Sequence, residues 1–305
     1  MGSAFSPFYR SPSINRKLYN ASIAILIDLF REVKKTMAKI HPTLIVTQPL
    51  ALMAIGIVHV AKVASWNVVH NVGAMLPAEV RDGEIAVFGD WRQACAIAQQ
   101  NWLCLLAPHS RWSSELPPEF LGRKIEVATW QEAKNIAEPK FIQLLDNQFE
   151  VAGVYENGGS LPLLDVDDEA PTLISKPVDF EYEFRCFVVK GAVVAISAHL
   201  HLGKSCQVRG TWRAPEPLYE EAADFCETLL ADHRVDSPPA FVVDVGLVTN
   251  VGWVVVEAHS TWHSDPLGCP AQGVLEALKQ SCTSRRNLNG GREHWVVQGI
   301  SPWAG

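Results

Sequence analysis

Two apolar runs in this sequence each deliver a single carboxylate, and chemistry can start from that pairing. One is Phe241-Val242-Val243-Asp244; the other is Gly252-Trp253-Val254-Val255-Val256-Glu257-Ala258-His259. Burying an unpaired charge in an apolar strand is costly, so each carboxylate implies a partner. Thr249-Asn250-Val251-Gly252 has the composition of a turn, and a hairpin through it sets Asp244 beside Glu257 on adjacent strands. Two such carboxylates repel unless a cation lies between them. That cation is either a hard divalent ion such as magnesium, with open positions for phosphate oxygens, or the Arg or Lys of a structural ion pair. His259 adds a nitrogen donor, and His199, His201 and His263 extend the set toward a transition-metal site of zinc type.

A second cluster lies upstream, in Glu183-Phe184-Arg185-Cys186-Phe187-Val188-Val189. As a strand it puts Glu183 and Arg185 on one face, with Phe184 and Phe187 expected to fill the other. The planar fork of Arg185 suits bidentate binding of an oxyanion; a cross-strand pair with Glu183 is the structural alternative. Lys204, Arg209 and Arg213 make the segment after His201 basic. The chain has no GxGxxG or P-loop pattern and no recognisable Ser/His/Asp or Cys/His arrangement.

The strand ending in Asp244 and the strand bearing Glu257-Ala258-His259 are similar to the metal-binding signature of ATP-grasp enzymes, Asp then Glu-x-Asn. The text from Ser175-Lys176-Pro177-Val178 through Glu183-Phe184-Arg185-Cys186-Phe187-Val188, and then Val256-Glu257-Ala258-His259-Ser260-Thr261-Trp262, resembles one bacterial ATP-grasp clade more closely still. This resemblance spans about residues 85–297 and implies an α/β ATP-grasp fold preceded by a small N-terminal α/β lobe. It implies ATP with Mg2+, or Mn2+ or Zn2+ given His259, and metal ligands at Asp244, Glu257 and His259. Nucleotide contacts fall at Gln143, Ser175, Lys176, Val178, Glu183 and Arg185, with Arg185 also stabilising the transferring phosphoryl group. The implied reaction is ATP-dependent joining of a carboxylate to an amine through an acyl-phosphate. Two departures accompany it. His259 stands where the family has Asn, and Gln143 and Gln148 stand where the clade has Lys, so neither supplies charge to a polyphosphate. A catalytically degenerate binding module on the same fold is therefore the second reading, and a His/Asp/Glu transition-metal protein the third.

The elements that must position these residues follow from periodicity. Strands are expected over Thr43 to Thr47, Trp66 to Val72, Ile85 to Phe88, Lys140 to Leu145, Glu150 to Tyr155, Thr172 to Val178, Glu183 to Val189 and Ala192 to Leu200. Helices are expected over Ala21 to Ile40, Leu50 to Val63, Trp91 to Asn101 capped by Asp90, Thr129 to Ala137 opened by a capping box, Leu218 to His233, and Pro270 to Ser281. Residues 1–18 read as a tail and Asp146-Asn147-Gln148 as a turn. The expected organisation is 1–125 as tail, helix and N-terminal lobe. The nucleotide-binding domain covers 126–305, divided into a first lobe, 126–178, and a second lobe with the metal site, 179–297.

At 305 residues and 48 % apolar content, the chain can bury a substantial core. Net charge of −7 argues against a general nucleic-acid binder. Seven scattered cysteines, with no C-x-x-C pair, read as free thiols in a reducing compartment, hence cytoplasmic. The run from Leu44 to Ala61 is interrupted by Gln48, Pro49 and His59, which favours a buried strand and helix over a membrane span. The expected partners are a small-molecule or peptide carboxylate and an amine.

Overall fold

Short β-branched stretches separated by helical segments build the first layer. A computed structural model of the chain describes residues 41–47, 54–70, 75–76, 80, 83–145, 151–288 and 291–297. The expected tail, the helix over 21–40 and the turn at 146–148 lie outside these residues. Strands β1 (Thr43–Val46), β2 (Asn67–His70) and β3 (Ile85–Phe88) form a parallel sheet in the order β2-β1-β3. Parallel neighbours require a crossover, and α1 (Ile55–Val63) lies in the one from β1 to β2. Strands β1 and β3 are buried throughout, as expected when both faces of a parallel sheet are covered. Asp90 accepts a hydrogen bond from the Gln93 amide at 3.1 Å and caps α2 (Trp91–Gln100). Strand β4 (Leu103–Leu105), not anticipated from periodicity, follows.

The middle of the chain forms an antiparallel sheet. Its elements are β5 (Ile125–Thr129), α3 (Trp130–Lys134), β6 (Lys140–Leu144), β7 (Ala152–Tyr155) and β8 (Pro171–Ser175), with strand order β5-β8-β6-β7. The capping box of Thr129 and Glu132 is present, but α3 stops before the expected Ala137. Gly158 explains the early stop: its amide donates to the Ile136 carbonyl at 2.7 Å. Its Cα lies so near the Lys134 carbonyl that a Cβ would sit 2.1 Å from that oxygen. Trp130, Ile142 and Leu144 centre the local core.

The second half contributes β9 (Tyr182–Val189), β10 (Ala192–His201), β11 (Lys204–Ser205), β12 (Gln207–Val208), β13 (Thr211–Trp212), α4 (Glu216–Ala231), β14 (Ala240–Val248), β15 (Gly252–His259), α5 (Ala271–Gln280) and β16 (Cys282–Ser284). An antiparallel sheet runs β11-β10-β9-β14-β15, and β16 pairs with β4. One face of the five-stranded sheet presents Phe184, Cys186, Phe241 and Val243 to Ala222, Cys226 and Leu229 of α4. The other presents Phe187, Val189, Ala240 and Val242 to α5 and the parallel layer. The sequence expectation sets Phe187 on the face away from Arg185, but a two-residue period puts both on one face. Along that face the apolar surface gives way, at the next cross-strand row, to Arg185 and Asp244.

All seven cysteines are free. Among the described residues no helix is long and apolar enough to cross a membrane.

Gly273 brings α5 against β10. A Cβ there would meet the Val194 carbonyl oxygen at 2.0 Å and the Ala195 Cβ at 2.9 Å. In an open helix Gly→Ala stabilises by about 1 kcal/mol. Here the backbone of β10 blocks the methyl group, so Gly273→Ala is expected to destabilise by about 1–3 kcal/mol instead. Urea unfolding of both proteins gives the sign directly.

Candidate functional site

The hairpin Val248–Gly252 closes through Asn250, at φ 65°, and Gly252, at φ 103°, both in the left-handed region that Asn and Gly tolerate. With a one-residue slip of the ladder between Val245 and Asp244, it places Asp244 directly opposite Glu257. Strand β9 continues the row on the far side, with Arg185 opposite Asp244 and Ser197 of β10 opposite Arg185. One line across four strands therefore reads Ser197, Arg185, Asp244, Glu257. His259 lies in the next row, opposite Val242.

The centre of the line is a buried fork. Arg185 Nε donates to Asp244 Oδ1 at 3.0 Å and Nη2 to Oδ2 at 2.7 Å, while Nη1 donates to the Asp265 carbonyl at 3.0 Å. Asp244 is 2 % and Arg185 8 % exposed. Burial alone would push the Asp244 carboxyl up, but Arg185 and His259 more than reverse this and hold it below the ordinary carboxylate range. Burial likewise pulls Arg185 down, and Asp244 overrides it, so the guanidinium stays charged.

His259 Nε2 is 3.0 Å from Glu257 Oε1 and 3.5 Å from Asp244 Oδ2. Both are ion-pair contacts, so the imidazole lies between two carboxylates. Burial lowers the imidazole's pKa, and the two carboxylates outweigh that and raise it to about 10. Glu183 shares the face one row along, opposite Gly246. Its carboxyl is raised to about 7, by burial first and then by the charges of Asp244 and Glu257. No ion pair joins Glu183 to Arg185 among the described residues; Arg185 is spent on Asp244.

Periodicity missed the residue that sets Glu257 in place. The ladder between β14 and β15 slips between Asp244 and Val245, leaving Val256 as an extra residue, a β-bulge. Arg123 Nη1 donates to the Val255 carbonyl at 2.9 Å and to the Leu121 carbonyl at 3.1 Å, and Nη2 donates to the Val256 carbonyl at 3.1 Å. The guanidinium lies 6.0 Å from the ring centre of Phe180. Phe180 in turn lies against Gly246, where a Cβ would be 2.3 Å from its ring. The bonds from Arg123 to β15 join residues more than 100 positions apart, and an isolated Arg before a strand gives no sign of them. Asp265 was missed for the same reason. Its Oδ1 accepts from the Leu267 amide at 2.9 Å, which turns its carbonyl toward Arg185.

The remaining expected residues lie elsewhere. Ser175 ends β8, buried, and Lys176 and Val178 lie in the connection to β9, Lys176 exposed. Gln143 is partly buried on β6, opposite Leu173 and Ala152. Lys134 pairs with Asp168, and Lys140 with Glu138 at 2.7 Å. Of the four histidines, only His259 joins a metal-competent cluster: one ligand atom each from Asp244, Glu257 and His259 lies within 4.8 Å of the others. His263 Nδ1 is 2.9 Å from the Gly89 carbonyl, and His201 stacks on Tyr182 at 4.3 Å. His199 is pulled toward the neutral form by burial, and its buried Nδ1 has no hydrogen-bond partner. Two carboxylates and an imidazole whose ligand atoms lie this close fit a divalent cation, which would replace the imidazole proton between them.

Residues 120–277, just over half of the chain, match a family model described as an ATP-grasp domain, the second family of its clade. Solved structures give more distant matches. A D-cycloserine synthetase, DcsG, is 12 % identical with a TM-score of 0.47, covering 78 % of this chain and 99 % of its own. An L-amino acid ligase from Bacillus licheniformis is 11 % identical at TM-score 0.45, covering 83 % and 77 %. A D-alanine–D-alanine ligase from Bacillus anthracis is 11 % identical at TM-score 0.43, covering 72 % and 86 %. No curated protein matches the chain significantly.

The Glu183 shift gives a pH dependence with a definite sign. Between its ordinary value near 4.5 and about 7, the unfolded chain releases a proton that the folded chain keeps. Stability is therefore lost as pH rises through that window. Glu183→Gln mimics the protonated form. With chelator present, it is expected to melt above wild type at pH 8 and level with it near pH 4. Equal melting temperatures at pH 8 would place Glu183 in a solvated environment.

Proposed function

The chain belongs to the ATP-grasp domains, and from that membership we propose that it is an ATP-dependent carboxylate–amine ligase acting through an acyl-phosphate. The observation that carries this reading is the row of buried Arg185 and Asp244 and partly exposed Glu257, with His259 at its side, an arrangement of fixed charge suited to polyphosphate and a divalent ion. Bound metal would neutralise charge on the phosphates during transfer.

The residues of this chain have definable parts in such a reaction. Asp244, Glu257 and His259 are the proposed metal ligands. Arg185, held by Asp244 and the Asp265 carbonyl, retains N–H groups that these bonds do not use and offers positive charge beside the transferring phosphoryl group. Ser175, Lys176 and Val178 form the segment proposed to receive adenine on backbone groups, and Glu183 is proposed for the ribose. A substrate carboxylate oxygen attacks the terminal phosphorus and ADP leaves. The amine nitrogen then attacks the acyl carbon, phosphate leaves, and the nitrogen gives up a proton. No protein nucleophile is needed.

A second reading, a binding module without catalysis, is favoured by one feature of the first lobe. Gln143 is neutral, and the nearby Lys134 and Lys140 are already paired with Asp168 and Glu138. Calorimetry of ATP with magnesium separates the two. The ligase reading expects micromolar binding that Asp244→Asn abolishes; no binding at millimolar ATP would leave only the module. Gln143→Lys adds a charge at the position proposed to face the phosphates and is expected to tighten ATP binding about tenfold, the effect of roughly 1.4 kcal/mol. An unchanged affinity would mean that position 143 does not face the phosphates.

A further inference from the structure

An amine that attacks an acyl-phosphate must lose a proton, and His199 is placed to take it. It is the extra residue of a β-bulge in β10: Ala198 pairs with Phe184 and Leu200 with Glu183, so His199 has no partner across the ladder. Bulges re-aim side chains and are common beside active sites. Ala198 lies with Phe184 in the core under α4, while Leu200 lies opposite Glu183. The bulge therefore turns both His199 and Leu200 toward the sheet face that carries Glu183 and Arg185. Strand β10 is two strands from β14, about 10 Å across the sheet. That interval has room for a phosphoryl group over Arg185, with an acyl carbon and an amine between it and His199.

The imidazole is uncommitted. Its Nδ1 is buried without a partner, and no hydrogen bond or ion pair engages either nitrogen among the described residues. A buried polar atom of this kind calls for an explanation. The ring lies 6.5 Å from that of Trp212 on β13. Trp212 and Ser197 in turn crowd Gly268, where a Cβ would lie 2.4 Å from the indole and 2.5 Å from the Ser197 hydroxyl oxygen. This packing closes the loop after Asp265 against β10 and β13 beside the imidazole. Other groups on the face are engaged: Asp244 is held by Arg185, His259 lies between Asp244 and Glu257, and Glu183 is proposed for the ribose. The charges of Asp244, Glu257 and Asp265 favour the protonated form of His199 and Arg185 opposes it. Burial is the largest influence, and the net effect keeps the imidazole below its ordinary pKa.

We propose that His199 is a further catalytic residue, the base that receives the proton of the amine nucleophile as the amide bond forms. The nitrogen lone pair bonds to the acyl carbon. The bond from that carbon to the bridging oxygen breaks, and its electron pair leaves on phosphate. The N–H proton passes to the imidazole and from there to solvent. The proposal rests on the ligase reading and adds the group that handles the proton.

The test uses the full chain with magnesium and ATP, and the standard amino acids as carboxylates and amines together. Hydroxylamine is the comparison nucleophile, because it is already largely unprotonated at neutral pH and gives a hydroxamate. General bases contribute about 10²–10⁴-fold, so His199→Gln is expected to slow amide formation at least about a hundredfold but hydroxamate formation less than about tenfold. Equal slowing with both nucleophiles, as a structural role would give, overturns the proposal and leaves the ligase reading standing; so does no slowing with either. In the 15N-labelled wild type, the ring-nitrogen shifts of His199 at pH 7 report its protonation with no substrate and no variant. A neutral imidazole is expected, and an imidazolium overturns the proposal whatever the turnover. Failure to bind ATP at millimolar concentration removes the ligase reading, and the proposal with it.

Discussion

The buried pair of Arg185 and Asp244 is the constraint on which the second half of the molecule depends. Removing two charges from water is costly, and their attraction repays it only with good geometry and further hydrogen bonds. Here the geometry is bidentate and the third guanidinium nitrogen is satisfied by the Asp265 carbonyl. Loss of either partner alone would strand a charge at a cost of about 3–5 kcal/mol. The pair lies where β9 and β14, the inner strands of the five-stranded sheet, face each other in register. It marks the boundary along one sheet face between the core under α5 and the polar row. Strand register, the loop carrying Asp265 and the placement of Glu257 all have to agree with it.

Much of this was legible in the sequence because the deciding interactions are local. Asn250 and Gly252 mark the turn, and the turn brings Asp244 to within one residue of Glu257; the bulge at Val256 completes the alignment. The same holds for the Asp90 cap and the Thr129 capping box. What escaped is what depends on distant chain. Nothing around Arg123 announces that it will hold carbonyls at Val255 and Val256, and nothing in β15 announces a bulge at Val256. The early end of α3 depends on Gly158, more than 20 residues away. Four histidines could be named from the sequence, but which of them meets the carboxylates is a tertiary question, and only His259 does so in the described residues. Asp244 shows how two sequence-level alternatives can both apply. It is half of an ion pair and also a member of the metal-competent cluster.

The four-stranded and five-stranded sheets differ in the charge they carry. The five-stranded sheet concentrates charge: Arg185, Asp244, His259 and Glu183 have shifted proton affinities in a partly buried setting, with Glu257 among the charges that shift them. Clustered perturbation of this kind is a mark of functional sites. On the four-stranded sheet Gln143 is neutral and partly buried on β6, and Lys134 and Lys140 are paired with acidic neighbours. A nucleotide on the proposed face would draw its affinity mainly from the five-stranded sheet and the metal. That predicts a stronger dependence on divalent ions than a lysine-gripped polyphosphate would show.

The most direct measurement is the location of the metal and nucleotide together. Crystals grown with Mn2+ and a non-hydrolysable ATP analogue would show manganese by its anomalous scattering. The account predicts a peak at bonding distance from Glu257 and His259, with the analogue's phosphates beside Arg185. Manganese bound elsewhere, or the analogue absent from that face while the protein is saturated with both, would contradict it.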